Sequence, residues 1–319
     1  MKSKTLAWSA LVLLAAPSGE RLLPRYRTDV EYRHEELRRY RMEPRGHTMT
    51  LNGRELPPEE AERIRFEFPG HRMTRLQRTT TRYTEANDGV PLVARRTFDA
   101  LEQRRTAGEG PEEELEGALA GETITLRAGG DGEVVAELEG GGEVDASLLE
   151  RHRLELPNAR YLPDEAVDLG DSWELGEEAL GAILALGQRQ GPKLFENEGG
   201  GFGDVVDRHA ELEGEVTFEA IEERDGLRCA VLVVELALEV DDAEVGQPGP
   251  GGPATRMSVE LEGSERIWLA LDAGHPVAAV GDVEGTTTME TELSGGDSEL
   301  VVNVEADLSF GWTSSWSVE

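Results

Sequence analysis

The chain has 319 residues, of which 38% are hydrophobic and only 5% aromatic, and it carries a formal charge of -33 at pH 7. Such a surface repels polyanions, which excludes nucleic-acid binding over a broad basic face. The length suffices for one large core or two smaller domains, and a single cysteine, Cys229, rules out an intramolecular disulfide.

Residues 1–18 read as a signal peptide. Lys2 and Lys4 form a basic head, Leu6 to Ala16 is an apolar run broken only by Ser9, and Ala16-Pro17-Ser18 offers small residues for a leader peptidase. The run is too short to span a bilayer of ~30 Å, and no cysteine near the cut invites a lipid anchor. We expect a periplasmic or secreted protein with no transmembrane helix in the mature chain and two further parts, an N-terminal β half (19–160) and a C-terminal β half (161–319). A lone thiol in such a compartment is safest buried in a strand, and Leu227, Val231 and Val233 around Cys229 fit that.

Alternation marks the strands. Tyr26, Thr28, Val30 and Tyr32 share one face of Arg25–Arg33, with charges on the other. Arg72–Glu85 reads as a strand because Thr79-Thr80-Thr81 and Tyr83 outweigh a helix-like arginine spacing. Asn87-Asp88-Gly89 then turns the chain into Leu92–Phe98. Hairpin material follows at Glu122–Leu126 and Glu133–Leu138. In the second half, Val216–Ile221 and Leu227–Val240 flank Arg224-Asp225-Gly226, and Met257, Val259, Leu261, Ile267, Leu269 and Leu271 alternate in the next strand. Val277–Val283, Thr286–Leu293 and Val302–Trp312 complete the set.

Helices are expected only at Glu177–Leu186, Pro111–Leu119 and Ala146–Arg153. Glu196–Gly203 and Asp241–Ala254 read as loops. Thr79–Glu85 echoes Thr286–Glu292, which two related half-barrels would explain and chance in a Thr/Glu-rich chain explains nearly as well. The expected fold is therefore mainly β: two packed, curved antiparallel sheets, half-barrel-like, with a few short helices.

Charge divides unevenly. Before residue 161 stand 25 basic and 29 acidic residues; after it, 7 and 36. Two halves that complement each other electrostatically explain this, as does an arginine-lined N-terminal face that meets an anionic envelope partner.

Catalytic signals are thin. Gly170-Asp171-Ser172-Trp173 resembles the block of the GDSL/SGNH esterases, and Asp272 and His275 have the spacing of their remaining triad members. That family places its serine after an apolar parallel strand near the start of the enzyme, whereas Ser172 lies halfway along a β-rich chain. A turn that seats Trp173 in the core is the plainer reading. His34-Glu35-Glu36-Leu37-Arg38 lacks the second histidine of a zinc-protease helix, and His47, His71, His152 and His209 show no ligand spacing. Glu112-Glu113-Glu114 and Asp241-Asp242 match no calcium loop. No catalytic residue, metal ligand or cofactor is assigned.

Leu162-Pro163-Asp164-Glu165-Ala166-Val167-Asp168-Leu169-Gly170-Asp171-Ser172-Trp173 resembles a motif of uncharacterised bacterial exported proteins and lipoproteins. Those families also carry a later hairpin like Trp268-Leu269-Ala270-Leu271-Asp272-Ala273-Gly274-His275-Pro276-Val277. The resemblance implies an envelope protein of unknown function. The long strands are similar in style to the LolA/LolB half-barrels, whose apolar concavity holds acyl chains. The leading expectation is a non-enzymatic envelope protein that binds an apolar or amphiphilic ligand, or a protein partner, in a β concavity. The alternatives are a Ser172-dependent hydrolase and a structural or assembly module that uses its acidic half.

Overall fold

A computed structural model describes residues 22–64, 68–87, 90–130, 133–156, 159, 161–163, 165–184, 192–195, 202–245, 254–295 and 298–319. The leader expected at 1–18 lies outside them. The protein is mainly β. Thirteen strands form one antiparallel sheet: β1 (Tyr32–Leu51), β2 (Arg54–Glu55), β3 (His71–Asn87), β4 (Val90–Ala107), β5 (Glu113–Glu116), β6 (Thr123–Ala128), β7 (Val134–Leu138), β8 (Ser172–Glu174), β9 (Glu211–Arg224), β10 (Leu227–Val245), β11 (Ala254–Ala270), β12 (Pro276–Gly295) and β13 (Ser298–Val318). Two helices of eight residues, α1 (Glu177–Leu184) and α2 (Phe202–His209), lie between β8 and β9.

The spatial order is β7-β6-β4-β3-β1-β13-β12-β11-β10-β9-β8, with β2 on β1 and β5 on β4. The sheet is not closed into a barrel. Its two wings meet where the first strand pairs with the last, from Tyr32 opposite Val318 to Leu51 opposite Leu300. Strand numbers rise outward from that seam on one wing and fall on the other.

One face of this sheet is covered and the other is open to solvent. Along β13, Val302, Val304, Ala306, Leu308, Phe310, Trp312 and Trp316 are buried while their odd-numbered neighbours are not, the period of two that a one-sided sheet requires. What lies on the covered face is the segment between β7 and β9. It adds Leu148, Leu154, Leu156, Leu194 and Phe195 to the core of the N-terminal wing, and Tyr161, Val167, Leu180, Ile183, Val205 and Val206 to that of the other. The described strands therefore form one sheet under helices and loops, where the alternation led us to expect two sheets.

Several local expectations change with this. Residues 25–31 precede β1 and turn at Thr28–Val30, although Val30 and Tyr32 are buried as their alternation implied. Pro111–Leu119 contributes strand β5 and a turn, because β5 pairs with β4 through Arg105 opposite Glu113. Ala146–Leu148 is a single 3-10 turn, with Asp145 accepting from the Ser147 amide. Phe202 and Gly203, expected in a loop, begin a helix that runs to His209, and β10 runs on to Val245. Of the expected loops, 196–201 and 246–253 lie outside the described residues, as do 185 and 186 of the first helix. Cys229 is buried in β10, as expected.

Glycines sit where strands meet large side chains. A methyl on Gly214 would collide with Leu180 of α1, and one on Gly281 would collide with the Trp312 indole, which lies across β12 at that point. Overpacking of this kind costs about 1–3 kcal/mol. Gly281→Ala is expected to lower the unfolding free energy by that much in urea. Gly311→Ala, whose methyl would meet only the Gly281 carbonyl at 3.9 Å, should stay within about 0.5 kcal/mol of the parent. Equal effects would refute the role given to Gly281.

Candidate functional site

The covered face holds two large apolar clusters, and the strands of the seam carry polar groups between them. Alternate residues of β1 between the buried Tyr32 and Met42 are His34, Glu36, Arg38 and Tyr40. Register sets His34 opposite Trp316, Glu36 opposite Ser314 and Arg38 opposite Trp312. On the other side they face Thr79, Gln77 and Arg75 of β3. One row thus crosses six strands: Glu265 on β11, Gly281 on β12, Trp312 on β13, Arg38 on β1, Arg75 on β3 and Gln103 on β4.

Each member is held by specific contacts. The Trp312 indole reaches over Gly281, and its N–H donates to Glu265 Oε1 at 2.8 Å. Arg38 pairs with Glu36 at 2.7 Å and donates through Nη1 to the Ile183 and Leu184 carbonyls, 3.0 Å each. Those carbonyls belong to the last two residues described for α1. Arg38 therefore fastens the covering segment to the sheet. Arg75 donates to Gln103 and lies over the Phe195 ring, 5.0 Å from its centre. His34 stacks on Trp316 with ring centres 4.6 Å apart.

Electrostatics follow from burial. Glu265 is 4% exposed, and loss of solvent pushes its carboxyl up to about 7, against the opposing pull of the Trp312 hydrogen bond and the Arg38 charge. Burial holds His34 down to about 4. Burial also acts to raise Glu36, but Arg38, His34 and Arg75 together outweigh it and leave that carboxyl below its usual value. The Tyr161 hydroxyl is driven well up by burial and by the nearby Glu265. Three sealed polar atoms of this region have no hydrogen-bond partner among the described residues: His34 Nε2, Glu265 Oε2 and Trp316 Nε1. A buried unsatisfied polar atom costs about 1–3 kcal/mol, so three in one region are unusual for a core that serves stability alone.

The serine-hydrolase residues are not brought together. Ser172 is exposed on β8, its Oγ 2.8 Å from the Thr217 hydroxyl. His275 is buried at the β11–β12 turn and donates from Nδ1 to the Pro276 carbonyl at 2.8 Å. Three strand steps, about 14 Å, separate β8 from β11. Asp272 is exposed, and its carbonyl receives Arg25 Nη1.

The Gly-Asp-Ser-Trp block instead clips the sheet edge. Gly170 donates to the Phe218 carbonyl, the Phe218 amide donates to Asp171, and Gly170 has φ +95°. Trp173 is half-buried against the C-terminal core, with its indole N–H on the Tyr161 carbonyl at 2.9 Å. The later hairpin receives the N-terminal segment: Arg25 N–H donates to the Gly274 carbonyl, and Leu22 is buried.

The arginine-rich region is largely neutralised where it stands. Arg33, Arg45, Arg72, Arg78, Arg95, Arg104 and Arg105 all lie in ion pairs, and only the first two reach β13 or the C-terminal residue. On the open face of the other wing, Glu174, Glu213, Glu215, Glu235 and Glu262 line a groove. Among the described residues no group of three or more acids, histidines or cysteines is placed to hold a metal ion. None of their helices is long and apolar enough to cross a membrane. The chain matches no family model and no curated protein at a significant level.

Glu265 was missed by pattern reading, yet its signal is visible. Met257, Val259, Leu261, Gly263, Glu265, Ile267 and Leu269 share one face of β11, and Glu265 is the only charge among them.

Two measurements test this site. Folded Glu265 binds its proton up to about pH 7, whereas an unfolded glutamate releases it near the usual 4.5, so native stability falls as pH rises across that window, by about 3 kcal/mol in all. His34 acts oppositely: the unfolded ring gains a proton first as pH falls from 6.5 to about 4, and stability falls with it. Urea denaturation from pH 4.5 to 7.5 should show Glu265→Gln gaining steadily on the parent as pH rises; parallel profiles would count against the buried carboxyl. Ser172→Ala should change stability by less than about 1 kcal/mol and leave p-nitrophenyl ester hydrolysis at background, whereas Ser172-dependent turnover would restore the hydrolase reading.

Proposed function

We propose that this is an exported, non-enzymatic envelope protein, periplasmic or secreted, that binds an amphiphilic ligand against the covered face of its sheet. In this reading the sheet curves as a half-barrel around that face. The observation that carries it is the juxtaposition of two apolar clusters with a polar row whose buried atoms lack partners. Apolar surface with a few convergent polar groups is the usual make-up of a small-molecule site.

A filled core would gain more from apolar side chains at 34, 36, 38 and 265, because replacing a buried ion pair by packed hydrophobics is often neutral or stabilising. The resemblance of Leu162–Trp173 to exported proteins supports the compartment.

Native mass spectrometry of the protein purified from its own envelope in mild detergent tests the proposal. A discrete adduct with the mass of a lipid-like molecule, lost on mild collisional activation, is expected. Protein that is always free of such an adduct would overturn the reading.

A further inference from the structure

We infer that the headgroup received at the seam is an organic ammonium, held by Glu265 and the aromatic rings beside it. This rests on the amphiphile reading and specifies the chemistry of its polar end. Glu265 Oε1 takes the Trp312 N–H, and Oε2 lies buried with no donor. Among the described residues the cation that acts on this carboxyl is Arg38, which is engaged by Glu36 and by the Ile183 and Leu184 carbonyls. A ligand N–H would supply the missing donor, and a fully methylated ammonium would supply the opposite charge without one.

The rings point the same way. Aromatic residues make up 5% of the chain, yet two of its five tryptophans stand on the seam strand β13. Trp312 and Trp316 flank the seam, and Trp173 fixes the Tyr161 backbone, whose side chain is close enough to feel the Glu265 charge. Tryptophan faces attract cations most strongly among side chains, ammonium groups included. An anionic headgroup would instead meet Glu265 and Glu36. The net charge of -33 also concentrates cations around the molecule.

Ammonium binding should ionise Glu265 and expel its proton. The groups that face this carboxyl are Glu36, Arg38 and, one row further, His34 on β1, and Tyr161 in the covering segment; Val234 and Gly281 beside it on the sheet do not titrate. At pH 6 Glu36 is already ionised, His34 is neutral and Arg38 and Tyr161 keep their protons, so only Glu265 changes state.

The test uses four twelve-carbon probes below their micelle concentrations: dodecylammonium, dodecyltrimethylammonium, dodecyl sulfate and dodecyl maltoside. Tryptophan fluorescence and calorimetry read binding to the whole protein. The ammonium probes should bind roughly tenfold or more tightly than the maltoside, and Glu265→Gln should remove that preference while leaving maltoside binding intact. Should the variant fail to fold, calorimetry of the parent in buffers of different ionisation enthalpy decides: about one proton released per ammonium at pH 6, and almost none at pH 8. Equal binding of all probes, or no proton release at pH 6, overturns the ammonium inference and leaves the amphiphile reading standing. If no probe binds, both fall.

Discussion

The pairing of β1 with β13 is the constraint on which the rest of the molecule depends. Each wing is a meander of mostly neighbouring strands, and among the described strands the ladder that joins the wings is this seam. The contact joins residues near the start of the chain to residues at its end, and the Glu31 and Glu319 backbones exchange two bonds that extend it. Loop closure on that scale is slow. The seam cannot form before the last strand has been made, so β1 must wait with an open edge beside β3 throughout synthesis. An inner face of His34, Glu36 and Arg38 protects that edge, because a polar strand is a poor template for aggregation.

The same polarity weakens the seam as a source of stability. Strands β10, β11 and β13 of the other wing carry mostly Val, Leu and Ile on the covered side, whereas β1 carries an ion pair and a histidine there. The covering segment compensates. Arg38 ties down the end of α1, Leu180 fills the space that Gly214 leaves open, and Trp173 locks the Tyr161 backbone. Because these fastenings act on the segment and the sheet at once, whatever alters the seam alters the cover. A ligand bound there would be sensed by both wings through side chains already in contact, without any strand having to separate.

Alternation made the outer strands readable, and its failure hid the seam. In β10 and β13 every second residue is apolar, so Leu227–Val240 and Val302–Trp312 declare themselves. In β1 the inward set runs from the buried Tyr32 through half-buried His34, Glu36, Arg38 and Tyr40 to the buried Met42, and the apolar pattern dissolves at His34 although the strand runs on to Leu51. The register shift between Pro44 and Gly46 then moves the buried positions from even to odd numbers. A strand whose hidden side is polar and whose phase slips midway cannot be found by counting hydrophobics. The Gly-Asp-Ser-Trp block admits two readings for a different reason: catalytic serines and tight edge turns both use glycine beside a small polar residue, and geometry separates them.

Sheet glycines and inward charges repay joint attention in a chain of this kind. Gly281 has no turn to make, so its lack of a side chain must serve a neighbour, and that neighbour is the Trp312 ring. The ring in turn crosses β12 to reach a carboxylate that breaks the apolar series of β11. None of the three residues makes sense alone. A buried glutamate would be a liability, a glycine inside a strand weakens it, and a tryptophan lying across a neighbouring strand needs somewhere to send its N–H. Together they form an arrangement in which one carboxylate oxygen is satisfied and the other lies buried without a donor among the described residues, and the proposed ligand contact starts from that oxygen.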